Sequence, residues 1–326
     1  MSKRCALVAG GGGFIGSHLC DRLLDLGYSV VAVDNLLTGS WENVAHLAGN
    51  ESFQLKVMDA VDVGDLSQHF DLVFHLASPA SPVYYVRYPI ETLHSGSSVS
   101  EALLRLASRD GARFIVASTS EIYGDPLEHP QKESYWGNVS SIGPRSVYDE
   151  AKRYAEALTM AFHRSVGVNT GIVRIFNTYG PRMGSDDGRV IPAFIGAALQ
   201  GKPLPVHGDG LQTRSFCYVD DLVEGLIRMA LSDDQGPINL GNDSERTLLS
   251  LVEDIIRLTG SVSLIEHLPR PVDDPQRRRP DLSLAREVLD WGPRIGFEEG
   301  LAATVRWYAD QLVSSSGEED KQSILA

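Results

Sequence analysis

Cysteine is scarce in this sequence, and its scarcity limits the kinds of site that the chain can form. Only Cys5, Cys20 and Cys217 occur in 326 residues, and none belongs to a Cys-x-x-Cys pair. Disulfide-stapled folds and zinc sites need cysteines that are paired or clustered at characteristic spacings. We therefore predict no disulfide framework and no metal site, and we expect three thiols in a reducing compartment.

Long apolar runs and positive charge are also in short supply. No stretch approaches the roughly 18 consecutive apolar residues of a membrane-spanning helix, and the apolar run Cys5–Ala9 is too short for a signal peptide. The 29 Lys and Arg residues are outnumbered by 43 Asp and Glu residues, which gives a formal net charge of −14. Because a phosphate backbone needs a positive protein face, we expect no nucleic-acid partner, no membrane partner and a cytoplasmic location.

What the chain does contain is an alternation of short apolar runs and helical patterns in its first half. Continuous apolar runs are typical of parallel strands that are covered on both faces. The predicted strands are Cys5–Ala9, Ser29–Val33, Phe53–Val57, Leu72–Leu76, Phe114–Ser118 and Thr170–Phe176. With helices between them, this pattern predicts an α/β fold with a Rossmann-type doubly wound parallel sheet.

The composition of the sequence changes near Gly180, where Gly and Pro become frequent while helical patterns continue. We predict a domain at residues 1–180, to which later segments return, and a smaller, mostly helical C-terminal substrate lobe at residues 181–313. Residues 314–326 are rich in Ser and acidic residues and are expected to be a disordered tail. The longer predicted helices are Glu101–Arg109, Ser146–Val166, Val190–Leu199, Leu222–Met229, Leu248–Leu258 and Leu282–Leu289.

A glycine-rich loop, Gly10-Gly-Gly-Gly-Phe-Ile-Gly16, follows the first predicted strand. Such glycines let the backbone approach a pyrophosphate at the N-terminus of the next helix. A lone glycine loop can be a flexible turn, but here Asp34 also ends the second strand, near the position where a carboxylate binds the adenosine ribose. A carboxylate repels the 2′-phosphate of NADP, and no Arg stands beside Asp34. Residues 1–180 are therefore predicted to bind NAD.

Tyr148 and Lys152 stand four residues apart in a predicted helix, so their side chains share one face. A nearby ammonium and a positive nicotinamide ring favour the phenolate and lower the pKa of a tyrosine, which makes it a better base. Most pairs with this spacing are surface contacts. This pair, however, accompanies a dinucleotide fold and a hydroxyl-rich strand end, Ser118–Glu121, which can hydrogen-bond a reacting hydroxyl.

The remaining cofactor contacts are predicted at the ends of the strands. Asp59, just past the third strand, is either an adenine contact or a carboxylate of a surface turn, and both alternatives stay open. Small residues after the fourth strand would let the cofactor lie close. The complete set of predicted NAD contacts is Gly10, Gly13, Phe14, Ile15, Gly16, Asp34, Asn35, Thr38, Asp59, Leu76, Ala77, Ser78, Tyr148 and Lys152.

Together these motifs resemble the extended short-chain dehydrogenases/reductases. The residues that carry the resemblance are the glycine loop, Tyr148-x-x-x-Lys152 and Ser118-Thr-Ser-Glu-Ile-Tyr-Gly124. Within that family the sequence is similar to the UDP-glucuronate decarboxylases, also called UDP-xylose synthases, from about Cys5 to Trp307. The further motifs that it shares with them are His75–Pro82, Ile142–Arg145, Arg174–Met183, Asp187–Val190, Gln212–Arg214 and Asp273–Asp281.

The resemblance implies a nucleotide-sugar substrate and a reaction. NAD would take a hydride from C4 of the glucuronate ring while Tyr148 takes the hydroxyl proton. The resulting β-keto acid would lose CO₂, and NADH would return the hydride to give UDP-xylose. The catalytic residues that it implies are Thr119, Glu121, Tyr148, Lys152 and Arg278, and the substrate contacts are Asn177, Arg189, Gln212, Arg214 and Arg278.

Individual roles follow from the same resemblance. Thr119 would hold the C4 hydroxyl, Glu121 would assist around ring opening or C5 protonation, and Arg278 would hold the substrate carboxylate. Without the resemblance, the run Arg277–Arg279 would indicate only a solvated group of charges. The resemblance also implies a homodimer built on the helices after Glu101 and Tyr148.

One departure from the family and three alternative functions stay open. Gly96 stands where the family has Asn, which leaves the packing around the cofactor undecided. A 4,6-dehydratase would have an Asp in place of Ser120, because a neutral hydroxyl is a poor acid. A 4-epimerase needs neither Glu121 nor an Arg for a carboxylate. An inactive NAD-sensing protein on the same fold would not need Tyr148 and Lys152 together.

Overall fold

A seven-stranded parallel sheet forms the centre of the molecule. The structure, a computed structural model, describes residues 3–269 and 278–324, and residues 314–324 by their backbone only. The strands are β1 (Cys5–Ala9), β2 (Ser29–Asp34), β3 (Phe53–Val57), β4 (Leu72–His75), β5 (Arg113–Thr119), β6 (Thr170–Ile175), β7 (Thr178–Tyr179), β8 (Leu204–His207), β9 (Thr213–Ser215), β10 (Cys217–Tyr218), β11 (Ile238–Leu240), β12 (Glu245–Thr247) and β13 (Ile265–Leu268).

The order of strands across the main sheet is β3-β2-β1-β4-β5-β6-β11, and every neighbouring pair is parallel. The first six strands have the doubly wound arrangement in which the order reverses beside β1. The predicted Rossmann-type α/β fold is therefore confirmed. The carboxyl ends of β1 and β4 meet at this reversal, where open α/β sheets bind their ligands.

Ten helices, counted over the described residues, surround or extend the sheet. They are α1 (Phe14–Asp25), α2 (Pro82–Arg87), α3 (Pro89–His94), α4 (Ser100–Asp110), α5 (Ser146–Val166), α6 (Val190–Leu199), α7 (Val219–Leu231), α8 (Leu248–Thr259), α9 (Ser283–Leu289) and α10 (Phe297–Ile324). The sequence predicted α5 and α6 with these same bounds, because their apolar residues keep helical spacing. It did not predict α2 and α3.

The central strands are buried along nearly their whole length because both faces of the sheet are covered there. Along β1, Ala6 and Val8 belong to one core cluster, with α1 and α7, and Leu7 and Ala9 belong to a second cluster, with α4. All four side chains are fully buried. Successive residues of a strand point to opposite faces, so a strand covered on both sides has few polar positions and gives the continuous run seen in the sequence.

The C-terminal half of the chain returns to the sheet in two places. β11 pairs with β6, and the preceding helix α7 packs against α1, β5 and β6. The sequence did not predict β11, which is only three residues long and contains Asn239. The division into a domain of residues 1–180 and a lobe of residues 181–313 stays a prediction.

Outside the main sheet, three two-stranded sheets join the helices: β7 with β10, β9 with β12 and β8 with β13. Their strands have two to four residues each, too few for the alternating pattern of a strand to be recognised. The backbone of α10 is helical as far as Ile324, within the stretch predicted to be a tail. Residues 273–277 of the predicted Arg-rich segment lie outside the described residues.

Two absences apply to residues 3–269 and 278–324. No helix there combines the length and the apolar character that crossing a membrane would require. Within the same ranges, His, Cys, Asp and Glu do not gather in groups of three or more that could hold a metal ion.

Gly96 lies in a π-helical turn, Ser95–Val99, that joins α3 to α4 and packs against α5. A Cβ at Gly96 would lie 2.6 Å from the carbonyl carbon of Ala151, next to Lys152. The departure from the family pattern therefore has a local reason in this chain, since any side chain at position 96 would collide with the backbone of α5 at Ala151.

We expect Gly96→Ala to lower the free energy of unfolding by about 1–3 kcal/mol, because overpacking forces the backbone to shift. The matched control is Gly196→Ala in α6, where an added Cβ has no neighbour within 4 Å. That variant should be neutral or slightly more stable, since Ala favours helix over Gly. Urea unfolding of both variants measures the difference, and equal stabilities would contradict the assigned role of Gly96.

Candidate active site

A cavity of about 1000 Å³ opens at the carboxyl ends of the central strands and is lined by both halves of the chain. Most of the residues predicted for cofactor, catalysis and substrate meet there. They are Gly10, Gly13, Phe14, Ile15, Gly16, Thr38, Leu76, Ser78, Thr119, Glu121, Tyr148, Lys152, Asn177, Arg189, Gln212, Arg214 and Arg278. Four predicted cofactor contacts, Asp34, Asn35, Asp59 and Ala77, do not line this cavity.

The glycine loop forms a cradle that side chains would fill. Gly10 has φ +87°, and a Cβ there would lie 2.7 Å from the amide nitrogen of Ala77. A Cβ at Gly16 would collide with the carbonyl of Gly10. Gly13 is the N-cap of α1 and has no side chain with which to cap the first N–H groups of the helix. These N–H groups and the helix dipole suit an anion such as a pyrophosphate, and the role of the loop toward NAD stays a prediction.

Asp34 supports this loop, and its role at the ribose stays a prediction. Its carboxylate accepts hydrogen bonds from the backbone N–H of Gly12 at 2.9 Å and of Leu36 at 2.8 Å. Burial raises the pKa of Asp34, and these two hydrogen bonds oppose that rise. Asp59 accepts a hydrogen bond from the backbone N–H of Val61 at 3.0 Å and thereby caps a short helical turn. Its role at the adenine stays a prediction.

We expect NAD to bind at least about tenfold more tightly than NADP, because Asp34 repels a 2′-phosphate. Asp34→Asn removes the charge and keeps one oxygen, which can accept from the N–H of Gly12 or of Leu36 but not from both, so the preference should fall while the loop is weakened. Calorimetric titration of both cofactors into both proteins measures the change. Equal affinities of the native chain for NAD and NADP would refute the assignment.

Tyr148 and Lys152 lie together on the buried side of α5, as their spacing predicts. The Lys152 ammonium lies 5.8 Å from the centre of the Tyr148 ring and donates a hydrogen bond to the carbonyl of Ala117 at 2.8 Å. The Tyr148 ring stacks on Tyr85, with 5.2 Å between ring centres. Tyr85, on α2, was not predicted, because nothing in the sequence indicates that α2 folds back onto α5.

Burial of this pair disfavours the charged form of both groups in the chain alone. Burial raises the pKa of Tyr148 to about 12, although Arg189 and a hydrogen bond with Thr119 oppose the rise. Burial lowers the pKa of Lys152 to about 8. A positive charge brought in by a bound ligand would lower the pKa of Tyr148, because it favours the phenolate.

Glu121 is held between two guanidinium groups. Arg278 approaches both of its carboxylate oxygens, with Nη2 at 3.2 Å from Oε2, and Arg145 pairs with Oε2 from the other side. Burial raises the pKa of Glu121, but the two positive charges outweigh burial and hold it at about 2. Arg278 and Glu121 are 157 residues apart in the sequence and meet here as predicted for one site. Arg145 was not predicted, although it belongs to the motif Ile142–Arg145.

The other predicted substrate contacts line the same cavity. Arg189 donates to the carbonyl of Ala80 at 2.8 Å and lies near enough to Tyr148 to lower its pKa, which places it on the Tyr148 side of the cavity. Gln212 donates to the carbonyl of His207 at 2.7 Å, and Arg214 donates to that of Thr213 at 2.9 Å. These residues are in place around the cavity, and their roles toward a substrate stay predictions.

Comparison with known proteins gives the family. Residues 6–241 match the NAD dependent epimerase/dehydratase family. The chain is 49% identical over 308 residues to UDP-glucuronic acid decarboxylase 1 of Arabidopsis thaliana, covering 94% of this chain and 70% of that protein. It is 48% identical over 310 residues to UDP-glucuronic acid decarboxylase 1 of Danio rerio, covering 95% and 74%.

A solved structure agrees with this likeness. UDP-glucuronic acid 4-epimerase from Bacillus cereus, in complex with UDP-glucuronic acid and NAD, superimposes with a TM-score of 0.85 at 29% identity, covering 94% of this chain and 99% of that one. The chain belongs to the NAD dependent epimerase/dehydratase family, whose members are extended short-chain dehydrogenases/reductases, and NAD is its cofactor. Its relatives at nearly half identity are decarboxylases of UDP-glucuronic acid.

Proposed function

We propose that this chain converts UDP-glucuronate to UDP-xylose by oxidation at C4, loss of CO₂ and re-reduction at C4. The observation that carries the proposal is the placement of Arg278, Arg145 and Glu121 in the cavity that also holds Tyr148. Two cations there face one carboxylate of low pKa, so the group has a net positive charge that suits a second carboxylate from a substrate.

The carboxyl group of Asp149, also near Glu121, does not cancel this positive charge. Asp149 is buried next to Tyr148, and burial together with the charge of Glu121 raises its pKa to about 7. Its Oδ1 atom has no hydrogen-bond partner. Asp149 is therefore partly protonated near neutral pH, and the cluster keeps a positive charge with which to attract the substrate.

In the reaction, Tyr148 takes the proton of the C4 hydroxyl and later returns it. When bound, NAD supplies the redox chemistry by accepting a hydride from C4 and giving it back. Lys152 lies on the same face of α5 as Tyr148 and favours its phenolate when charged. Thr119 lies near enough to Tyr148 to lower its pKa and can hydrogen-bond the substrate hydroxyl.

The loss of CO₂ follows from the ketone at C4. The bond between C5 and the carboxyl carbon breaks, its electron pair moves toward the C4 oxygen, and C5 then takes a proton. Arg278 binds and orients the carboxylate before this step. Glu121, which pairs with Arg145 and Arg278, is the carboxylate that we expect to assist around ring opening or C5 protonation.

Two related reactions use the same cavity differently. A 4,6-dehydratase needs an acid where this chain has Ser120, which is buried and neutral. A 4-epimerase returns the hydride to the opposite face of C4 and keeps the carboxylate. The identity of the product distinguishes the decarboxylase, dehydratase and epimerase reactions.

The test is to incubate the chain with UDP-glucuronate and catalytic NAD and to follow CO₂ and the nucleotide products by chromatography. We expect equal amounts of CO₂ and UDP-pentose. Formation of UDP-galacturonate without CO₂ would establish a 4-epimerase instead. No product from a folded chain that binds NAD would support the inactive sensing protein.

Three further proposals concern the roles of the two parts of the chain, its oligomeric state and its location in the cell. Residues 1–180, joined by α7 and β11, bind NAD, and residues 181–313 close over the nucleotide sugar.

Two copies of the chain pair through α4 and α5, where the exposed ring of Tyr154 is available to a partner. Light scattering measures the mass of the assembly. The location is cytoplasmic, which agrees with the three free thiols of Cys5, Cys20 and Cys217.

A further inference from the structure

The peptide group between Arg278 and Arg279 is held on both of its polar atoms by buried side chains. The carbonyl oxygen of Arg278 accepts a hydrogen bond from Ser215 Oγ at 3.2 Å. The amide nitrogen of Arg279 donates to Gln131 Oε1 at 2.9 Å. Gln131 and Ser215 are both 0% exposed, and they come from the loop before α5 and from β9 respectively. Two segments that are distant in the sequence therefore hydrogen-bond the same peptide group.

Gln131 holds the neighbouring backbone as well. Its own N–H donates to the carbonyl of Arg279 at 2.9 Å, and its carbonyl accepts from the N–H of Asp281 at 2.8 Å. Residues 279–281 thus lie beside Gln131 as a strand lies beside its neighbour, with a bridge between Gln131 and Pro280. The Nε2 atom of Gln131 donates to the carbonyl of Glu128 at 2.7 Å, which keeps the side-chain amide in one orientation.

Further hydrogen bonds connect Gln131 to the segment that contains Glu121, the ion-pair partner of Arg278. Tyr123 lies in the helical turn Ser120–Tyr123 that also contains Glu121. Its hydroxyl donates to Asn239 Oδ1 at 2.8 Å, and Asn239 Nδ2 donates to the carbonyl of Gln131 at 3.0 Å. The ion pair of Glu121 with Arg278 therefore closes a ring of contacts whose other members are buried, so both ends of the pair are fixed by one network.

We propose that Gln131 and Ser215 are positioning residues that hold the main chain of Arg278 so that its guanidinium stands where the substrate carboxylate binds. The inference rests on the proposed function. A free Arg side chain on a mobile backbone would lose much conformational entropy on binding. Fixing both polar atoms of its peptide group removes part of that cost before the substrate arrives.

A purely structural role is the alternative, since any buried peptide group needs hydrogen-bond partners. The two roles differ in what a substitution changes. A positioning role affects recognition of the carboxylate alone, whereas a structural role affects the fold and every ligand together. The readout is therefore the preference for UDP-glucuronate over UDP-glucose, which lacks the carboxylate, measured as a ratio of dissociation constants.

The experiment compares Gln131→Met, which removes the acceptor for Arg279 and the donor to Glu128, with Gln131→Glu. Burial favours the protonated form of that acid, which keeps an oxygen for the N–H of Arg279 and a donor for the carbonyl of Glu128. Ser215→Ala removes a single hydroxyl, and Gln54→Met, at an exposed position of β3, is the matched control. We expect Gln131→Met and Ser215→Ala each to lower the preference about three- to tenfold. Affinity for UDP should stay within about twofold, Gln131→Glu should recover most of the preference, and Gln54→Met should change nothing.

Thermal unfolding of each variant accompanies the titrations. If Gln131→Met does not fold, Ser215→Ala decides the question. Full preference in folded variants, or equal loss of affinity for UDP, UDP-glucose and UDP-glucuronate, would overturn the positioning role. Failure of the proposed function shows separately, because the unaltered chain would then release no CO₂ from UDP-glucuronate while its carboxylate preference could still be measured.

Discussion

Tyr148→Phe should lower the rate of CO₂ release from UDP-glucuronate by about 10²–10⁴-fold, the usual contribution of a general acid–base group. The substitution removes only the hydroxyl, so the ring can keep its stacking contact with Tyr85. Binding of NAD should therefore change little. Because the chain alone holds the pKa of Tyr148 at about 12, we expect the native activity to depend on the positive charge of the oxidised cofactor.

The measurement is single-turnover formation of NADH together with steady-state release of CO₂. Tyr154→Phe is the matched control, because Tyr154 lies on the same helix with its side chain half exposed and should lose no activity. If NADH forms in Tyr148→Phe as fast as in the native chain, another group is the base.

Arg278→Ala should reduce kcat/KM for UDP-glucuronate by roughly ten- to a hundredfold or more, since a charge-assisted hydrogen bond contributes about 1.5–3 kcal/mol. In the structure this side chain is buried and contacts both carboxylate oxygens of Glu121. The substitution leaves Arg145 as the partner of Glu121, so the pKa of Glu121 should rise from about 2. Affinity for UDP, which has no carboxylate, should hardly change.

Steady-state CO₂ release and calorimetry with UDP measure the two parts of this prediction. Arg286→Ala removes an exposed Arg that pairs with Asp243 on the surface and is the control for loss of positive charge. Equal loss of turnover and UDP affinity in Arg278→Ala would mean that Arg278 holds the nucleotide or the fold. Unchanged turnover would mean that the ion pair of Arg278 with Glu121 is structural and does not bind the substrate.

Much of the sheet could be predicted because a strand covered on both faces is apolar at nearly every position. β1 and β4 are covered in this way, and their bounds in the structure agree within one residue with those read from the sequence. β11 could not be predicted, because three residues with a central Asn carry too little local pattern. Asn239 is buried there only because Tyr123 and Gln131, more than a hundred residues away in the chain, satisfy its amide.

By itself, the sequence determined the features that near neighbours encode. The glycine loop, Asp34 at the end of β2 and the spacing of Tyr148 and Lys152 depend on a few adjacent residues and on the period of a helix or strand. They were enough to predict the cofactor and the candidate base. The resemblance to a family then suggested Glu121 and Arg278.

The tertiary structure alone decided how those two groups are held. Arg145 as the second partner of Glu121, Tyr85 against the base, and Gln131 with Ser215 on the peptide of Arg278 are contacts between segments that only the completed fold brings together. The strength of an ion pair or hydrogen bond depends on distance and burial, and neither quantity is local to the sequence. The positive charge that suits a substrate carboxylate is thus a property of the folded chain.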